Sequence, residues 1–425
     1  MTSVAYLETS GAIAVGSVAF ELPEYVVEVR DGVLRFVDSQ VVPLIDGNRT
    51  LLEDQRRLYD EYGRYSAEVR TLIQQVRMLS AEAGFYAMCA PAEIGGGGLG
   101  HLVYYVAWEA IYRRLGGQGV IIPWVIAHWA FGPSRLLTQV TEVARERCLA
   151  GMMAGKTSMC FGLSEPGAGS DASMIKTRAD KTGTGWKISG RKLWTTNAPT
   201  AEWCIVFAIT DVEKAVRKAG GISAFLVPTD ARGFHVESVV RLFGHVGGHE
   251  GALVLEEVDV QPWQLVGELD QGFKIALYGV SLGRVYNAAR AVGQGRWALE
   301  MAIDYSKQRE AFGSKIAEYQ AVSFPIAEAA TELHAAHLMG LNAAMLLDRG
   351  DKAPKELSMA KAYSVQAGFR AVDRAIQTHG GMGLTNEIGL VHAWQDLRIV
   401  NIADGTNEIL TRMIAQRVLS GDVDL

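Results

Sequence analysis

Apolar residues recur at three and four spacing in both outer parts of the chain, and short β-rich runs between Gly, Asp and Pro fill the middle. Together they predict a multidomain α+β protein in which two helical domains enclose a β domain. At 425 residues the chain exceeds one ordinary core and has room for two or three domains. The divisions fall at residues 1–21, an N-terminal extension; 22–157, helical; 158–263, a β barrel or sandwich; and 264–425, a helical bundle.

In the first domain the helical period runs through Tyr25, Val26, Val29, Val33 and Leu34, then through Leu51, Leu58 and Tyr62. Helices break at Ala90-Pro91 and through the glycine run of residues 95–98, which carries no charge and lacks the pattern of a phosphate loop. Strands are expected at Trp186-Lys187-Ile188, at Trp203-Cys204-Ile205-Val206-Phe207, at Ile222-Ser223-Ala224-Phe225-Leu226-Val227 and at Leu253-Val254-Leu255. After residue 272 the helical period returns, with Val285, Ala289, Val292, Leu299 and Ile303 on one stripe and Val322, Ile326, Leu333, His337 and Leu341 on another. A cofactor at the junction of the β domain and the bundle is a natural arrangement.

Composition narrows the function. With 49% hydrophobic and 21% charged residues the chain is of ordinary globular type. A net charge of −6 disfavours nucleic acid and anionic membrane surfaces as partners. The four cysteines, Cys89, Cys148, Cys160 and Cys204, have neither zinc-site spacing nor the density of a disulfide scaffold, and read as reduced buried thiols. The apolar run of residues 11–20 is too short for a membrane span, has no basic segment before it, and Arg is absent before Arg30. A soluble cytoplasmic protein without leader or membrane span is expected. His245 and His249 are four apart but sit in a glycine-rich stretch with no third ligand, so no metal is expected. His334 and His337 read as packed or half-exposed helix residues.

Five segments carry chemistry. In Leu163-Ser164-Glu165-Pro166-Gly167-Ala168-Gly169-Ser170-Asp171, glycines let backbone amides approach a ligand and two serines offer hydroxyls. Lys192-Leu193-Trp194-Thr195-Thr196-Asn197 sets a large aromatic beside two hydroxyls. Arg309-Glu310-Ala311-Phe312-Gly313 with Gln320 offers a guanidinium suited to a diphosphate. Gln377-Thr378-His379-Gly380-Gly381-Met382-Gly383 and Asp404-Gly405-Thr406-Asn407-Glu408-Ile409 complete the set. Singly, four of the five have a bland explanation: a tight loop, a core tryptophan, a solvated helix arginine, and, for Asp404, a helix N-cap.

Together and in this order the segments resemble the acyl-CoA dehydrogenase family, over roughly residues 22 to 420. The resemblance implies that family's fold: an N-terminal helical domain, a middle β domain and a C-terminal four-helix bundle, assembled as a tetramer or dimer. It also implies FAD between the β domain and the bundle. Leu163, Ser164, Gly169, Ser170, Trp194, Thr195 and Thr196 would line the flavin and its phosphates, with Thr196 near the reactive flavin nitrogen. Arg309, Phe312, Gln320, Gln377, Gly380 and Gly381 would take the adenosine–pyrophosphate end, largely from a neighbouring subunit, and Thr406 and Glu408 would also contact cofactor. Ser170, Arg284 and Gly405 would meet the substrate.

The family's reaction is an α,β-elimination from an acyl thioester, in which a carboxylate takes the α proton while the β hydride passes to flavin N5. Electron-transfer flavoprotein is the implied acceptor. Most members place Glu where Asp404 stands here; others place the base just before the arginine of the first long C-terminal helix. That second place is Gly283, before Arg284, so Asp404 is the catalytic base the resemblance implies. Asp is shorter than Glu by one C–C bond, roughly 1.5 Å. Asp occurs in a subgroup associated with long or 4-hydroxylated acyl-CoAs, whose pattern resembles residues 282–293 and Ala403-Asp404-Gly405. It occurs also in nitroalkane oxidase, which uses oxygen. Ser281 replaces an Asp that many members use to hold the CoA pantetheine, which keeps a carrier-bound acyl thioester as an alternative to CoA. A flavin oxidase or monooxygenase of the same fold is the competing reading. A DNA-binding flavoprotein ranks last because a basic extension is missing.

Overall fold

The computed structural model describes residues 21–117 and 119–423; the N-terminal extension, with the expectations attached to its apolar run, lies outside them apart from Glu21. The first domain contains α1 (Glu24–Phe36), α2 (Ala67–Glu82), α3 (Gly100–Leu115) and α4 (Glu142–Met153). Helix α3 is buried on almost every face, from Leu102 to Leu115, as expected of a helix at the centre of a domain. One expectation fails here. The stripe through Leu51, Leu58 and Tyr62 is not one helix, because the chain leaves helical geometry at Asp54 and again after Leu58. Asp60 Oδ1 accepts from the Tyr62 and Arg64 amides, each at 2.9 Å, which closes a turn and leaves Tyr62 exposed. The described residues between 116 and 141 hold only short helical segments, at Ile122–Trp124 and Arg135–Gln139. Gly116 at positive φ and Pro123 and Pro133 account for this.

The middle domain is one eight-stranded sheet: β1 (Met159–Gly162), β2 (Arg178–Lys181), β3 (Trp186–Thr196), β4 (Trp203–Ile209), β5 (Ile222–Pro228), β6 (Phe234–Val239), β7 (Glu250–Val260) and β8 (Leu265–Val266). The strands run in the order β6-β7-β3-β2-β4-β5-β8, and β1 lies parallel to β4. Cys160, Ile188, Val206, Phe225, Phe234 and Leu255 share one core, so the sheet wraps around its own interior like an open barrel. Two register shifts in the β3–β7 ladder, at 188/190 and 192/195, bend β3 just before Trp194.

The last domain is built on α5 (Gly272–Gln308), α6 (Gln320–Asp348) and α7 (Pro354–His379), with α8 (Leu390–Val400) and α9 (Asn407–Leu419) laid against α7. The bundle thus has three long and two short helices. Helix α5 is the keystone, because it packs on α3 of the first domain, on β5 and on α7. Its crossing with α7 is close: a Cβ on Gly368 would sit 2.3 Å from the Ala291 carbonyl oxygen. No helix among the described residues is long and apolar enough to cross a membrane.

Candidate active site

Residues 401–406 join α8 to α9 in a turn that puts Asp404 at φ 54 and Gly405 at φ 96. Asp tolerates this left-handed region better than most residues, at a cost of roughly 1 kcal/mol. The cap of α9 is Thr406, whose Oγ1 accepts from the Ile409 amide at 3.3 Å. Asp404 is therefore not occupied as the cap. Its carboxylate reaches α5, where Asn287 Nδ2 donates to Oδ2 at 2.8 Å. Opposite stands Gly283: a Cβ there would lie 2.2 Å from Asp404 Oδ2 and 2.8 Å from Trp129 Nε1. The two sequence positions considered for the base are thus neighbours in space, and the missing side chain at 283 is the hollow that the Asp404 carboxylate fills. Burial pushes Asp404 up to about 6, while the Lys361 and Arg284 cations and the Asn287 amide pull the other way.

Aromatic side chains from three domains wall this point. Trp129 is almost fully buried, yet its Nε1 has no hydrogen-bond partner. Its ring meets Phe161 of β1 edge-on at 5.0 Å, and a Cβ on Gly279 of α5 would touch it at 2.7 Å. His128 packs edge-on to Tyr286 at 4.5 Å, and burial pushes it down to about 3, so it is neutral here. The Arg284 guanidinium is buried beside the Asp404–Gly405 turn, with Nη1 3.5 Å from Ser358 Oγ and 3.8 Å from Met413 Sδ. The Ser281 hydroxyl is spent on the Leu277 carbonyl at 2.9 Å. Glu408 stands exposed in the first turn of α9.

From Phe161, strand β1 leads directly into Leu163 and Ser164. A buried ion pair fixes this loop: Lys192 Nζ donates to Glu165 Oε1 at 2.8 Å and to the Leu163 carbonyl at 3.2 Å. Glu165 also accepts from the Lys176 and Thr177 amides. The Leu193 amide donates to the Ser164 carbonyl at 2.9 Å, tying the loop to β3. Beyond it Trp194 is held at φ 63 with half its surface exposed. Thr195 is buried with Oγ1 unpartnered, and Thr196 pairs with Glu250 of β7. Gly167 and Gly169 face open space, and Ser170 is exposed. A half-exposed tryptophan in a strained conformation, an orphaned hydroxyl and an open glycine loop fit a planar, phosphate-bearing cofactor. Replacing Lys192 by Met is expected to cost about 3–5 kcal/mol by leaving Glu165 buried and unpaired, read as a lower Tm with loss of bound flavin.

Arg309, Phe312, Gln320, Gln377, Gly380 and Gly381 gather at the other end of the bundle. Tyr305 stacks on His379 at 4.5 Å, bringing the end of α5 to the end of α7, and Tyr319 Oη donates to the Ala311 carbonyl at 2.9 Å. All six are exposed, Phe312 almost completely. From Arg284 to Arg309 the helix rises roughly 37 Å at 1.5 Å per residue.

The histidine-rich loop also faces the bundle. Tyr65 Oη and His249 Nδ1 are 2.7 Å apart, and His245 Nε2 lies 3.2 Å from Gln395 Oε1. His334 is exposed, and His337 Nδ1 is 2.6 Å from Glu109 Oε2. No group of three or more metal-ligating side chains exists among the described residues. Asn287, Lys361 and Trp129 were not singled out from the sequence. Lys361 left a signal: a charge on the buried stripe formed by Leu357, Ser364, Val365 and Gly368 of α7. Trp129 left none.

Family models match in register with the three structural domains: acyl-CoA dehydrogenase N-terminal domain at residues 25–156, middle domain at 160–258 and C-terminal domain at 270–419. The chain belongs to the acyl-CoA dehydrogenase family. It is 35% identical over 339 residues to 3-(aryl)acrylate reductase of Clostridium sporogenes, covering 80% of this chain and 88% of that one. With the caffeyl-CoA reductase–Etf complex subunit CarC of Acetobacterium woodii it shares 34% over 346 residues, 81% of this chain and 90% of the relative. Its fold superposes on butyryl-CoA dehydrogenase of Megasphaera elsdenii with a TM-score of 0.80 at 27% identity, covering 94% of this chain and 99% of that structure. As a member of the acyl-CoA dehydrogenase family the protein is a FAD-dependent oxidoreductase acting on CH–CH donors.

Proposed function

We propose that this acyl-CoA dehydrogenase family member removes the α and β hydrogens of an acyl-CoA or carrier-bound acyl thioester, with Asp404 as the base. The observation that carries the reading is the Asp404 carboxylate, free of capping duty, seated in the Gly283 hollow and held by Asn287. FAD, when bound, would supply the acceptor for the β hydride. The protein's part is to take the α proton on Asp404, and to exclude water with Trp129, Phe161 and Tyr286. Leu163, Ser164, Gly169, Ser170, Trp194, Thr195 and Thr196 would hold the flavin end. Arg309, Phe312, Gln320, Gln377, Gly380 and Gly381 would hold the adenosine end of the FAD of a second subunit, which the length of α5 supports. Exposed Phe312, Phe324 and Leu338 suit burial in such a homo-oligomer, tetramer or dimer. Ser170, Arg284 and Gly405 would meet the thioester, and Thr406 and Glu408 would adjoin the cofactor. Electrons would leave to electron-transfer flavoprotein, a reading supported by the Etf complex named for one relative. Cytoplasmic location goes with the composition.

The test is anaerobic mixing of the yellow protein with short, long, branched, 4-hydroxy and 3-aryl acyl-CoAs while flavin absorbance is followed. Bleaching by one of them is expected. Bleaching only by a nitroalkane, with oxygen consumed in turnover, would sink the reading. The rate under kcat/KM conditions should rise through pH 6 to a plateau, because the carboxylate must be ionised and its affinity for the proton is raised to about 6. A profile flat from pH 5 to 8 would contradict this assignment.

A further inference from the structure

Lys361 of α7 has no exposed surface, lies in the interior of its helix, and has no ion-pair partner within 4 Å among the described residues. Its Nζ donates to the Gly405 carbonyl at 2.9 Å, one residue beyond the proposed base. The groups facing it come from three directions: Asp404 and Gly405 from the 401–406 turn, Arg284 from α5 and Glu408 from α9. Arg284 directs Nη1 towards Ser358 and Met413, so Lys361 is the cation bonded to the turn itself.

We propose that Lys361 is a positioning residue for the base: it pins the left-handed Asp404–Gly405 turn through the Gly405 carbonyl and keeps the Asp404 carboxylate ionised beside it. This rests on Asp404 being the base. The physical case is a balance of desolvation against charge. A partly buried carboxylate set against Gly283 and Trp129 is driven towards its neutral form, and a cation close by opposes that drive. Lys361 is itself pushed down to about 8 by burial, with Asp404 and Glu408 opposing. Below pH 8 it therefore carries its charge, and from about 6 to 8 base and lysine are ionised together. The hydrogen bond to Gly405 adds geometry to charge. Asp404 at φ 54 is in the left-handed region that costs a residue with a Cβ, Gly405 at φ 96 adopts its conformation without that cost, and a buried donor on the Gly405 carbonyl holds the turn there.

The experiment compares K361M, K361Q and K361R with wild type and with D404N, all as flavin-loaded full-length protein, by anaerobic stopped-flow flavin reduction from pH 5 to 9. Met removes charge and donor, Gln keeps a donor without charge, and Arg keeps the charge. K361M and K361Q should move the acid limb upward by roughly one unit or more. K361R should leave the limb in place while lowering the limiting rate, with KM little changed. Flavin content and Tm are read on the same samples; if K361M loses flavin, the K361Q and K361R pair decides. An unchanged limb in K361Q, or a limb moved as far in K361R as in K361Q, overturns the proposal while D404N remains inactive. Full reduction by D404N would instead remove the base reading on which it stands.

Discussion

Asp404→Asn should remain yellow, keep its fold and fail to bleach with the substrate that reduces the wild type. The replacement is nearly isosteric, and the Asn287 Nδ2 donor can still find an amide oxygen where it now finds Oδ2 at 2.8 Å. What is lost is the proton acceptor, worth about 10²- to 10⁴-fold in rate for a positioned general base. The loss should fall on the rate of flavin reduction at saturating substrate more than on binding, because the contact matters when the α proton moves. Stopped-flow reduction measures it directly, with equilibrium binding of a non-reducible thioester as the companion measurement. Wild-type reduction by the Asn variant would end the case for Asp404. Stability should change little. The Asn leaves the buried Lys361 and Arg284 without their anion, but Lys361 can shed its proton more readily than an ordinary lysine.

Gly283→Ala is the second large effect, and it tests position where the first tests chemistry. The added Cβ would lie 2.2 Å from Asp404 Oδ2 and 2.8 Å from Trp129 Nε1, well inside contact distance, on a helix fixed by the first and middle domains. The movable partner is the Asp404 carboxylate, so the base should be displaced by about 1 Å and the rate fall on the order of a hundredfold. Crowding of this kind costs about 1–3 kcal/mol, read as a lower Tm. A double variant, Gly283→Glu with Asp404→Gly, moves the carboxylate to α5 and puts glycine at the residue with φ 54. It should recover at least tenfold over Asp404→Asn. Reduction by Gly283→Ala at the wild-type rate would mean that the carboxylate works from somewhere other than the α5 hollow.

Much of this was legible in the chain. The strands around Trp203 and Ile222 and the stripes of α5 and α6 follow from periodicity, because burying one face imposes a repeat of two or of 3.6. The tract around residues 51–62 misled for a physical reason. Its apolar spacing of seven and four residues is helical, but the Asp60 carboxylate offers the backbone a competing set of hydrogen bonds, and spacing cannot reveal which wins. Trp129 was invisible because residues 116–141 have no repeat to mark which side chain turns inward. The cap reading of Asp404 failed because Thr406, two residues on, takes the cap instead.

By itself the sequence determined the order of domains through local pattern, and the family resemblance carried by its short segments implied the flavin cofactor and a short set of candidate residues. Only the tertiary structure decided that Gly283 and Asp404, more than a hundred residues apart, share one hollow, that Lys361 lies buried beneath the Gly405 carbonyl, and that the Arg309 set stands a helix length from the Asp404 site. Those facts depend on how α5 crosses its neighbours in three domains. Packing of distant segments sets burial and charge separation, and these rather than residue type decide how readily a carboxylate gives up its proton.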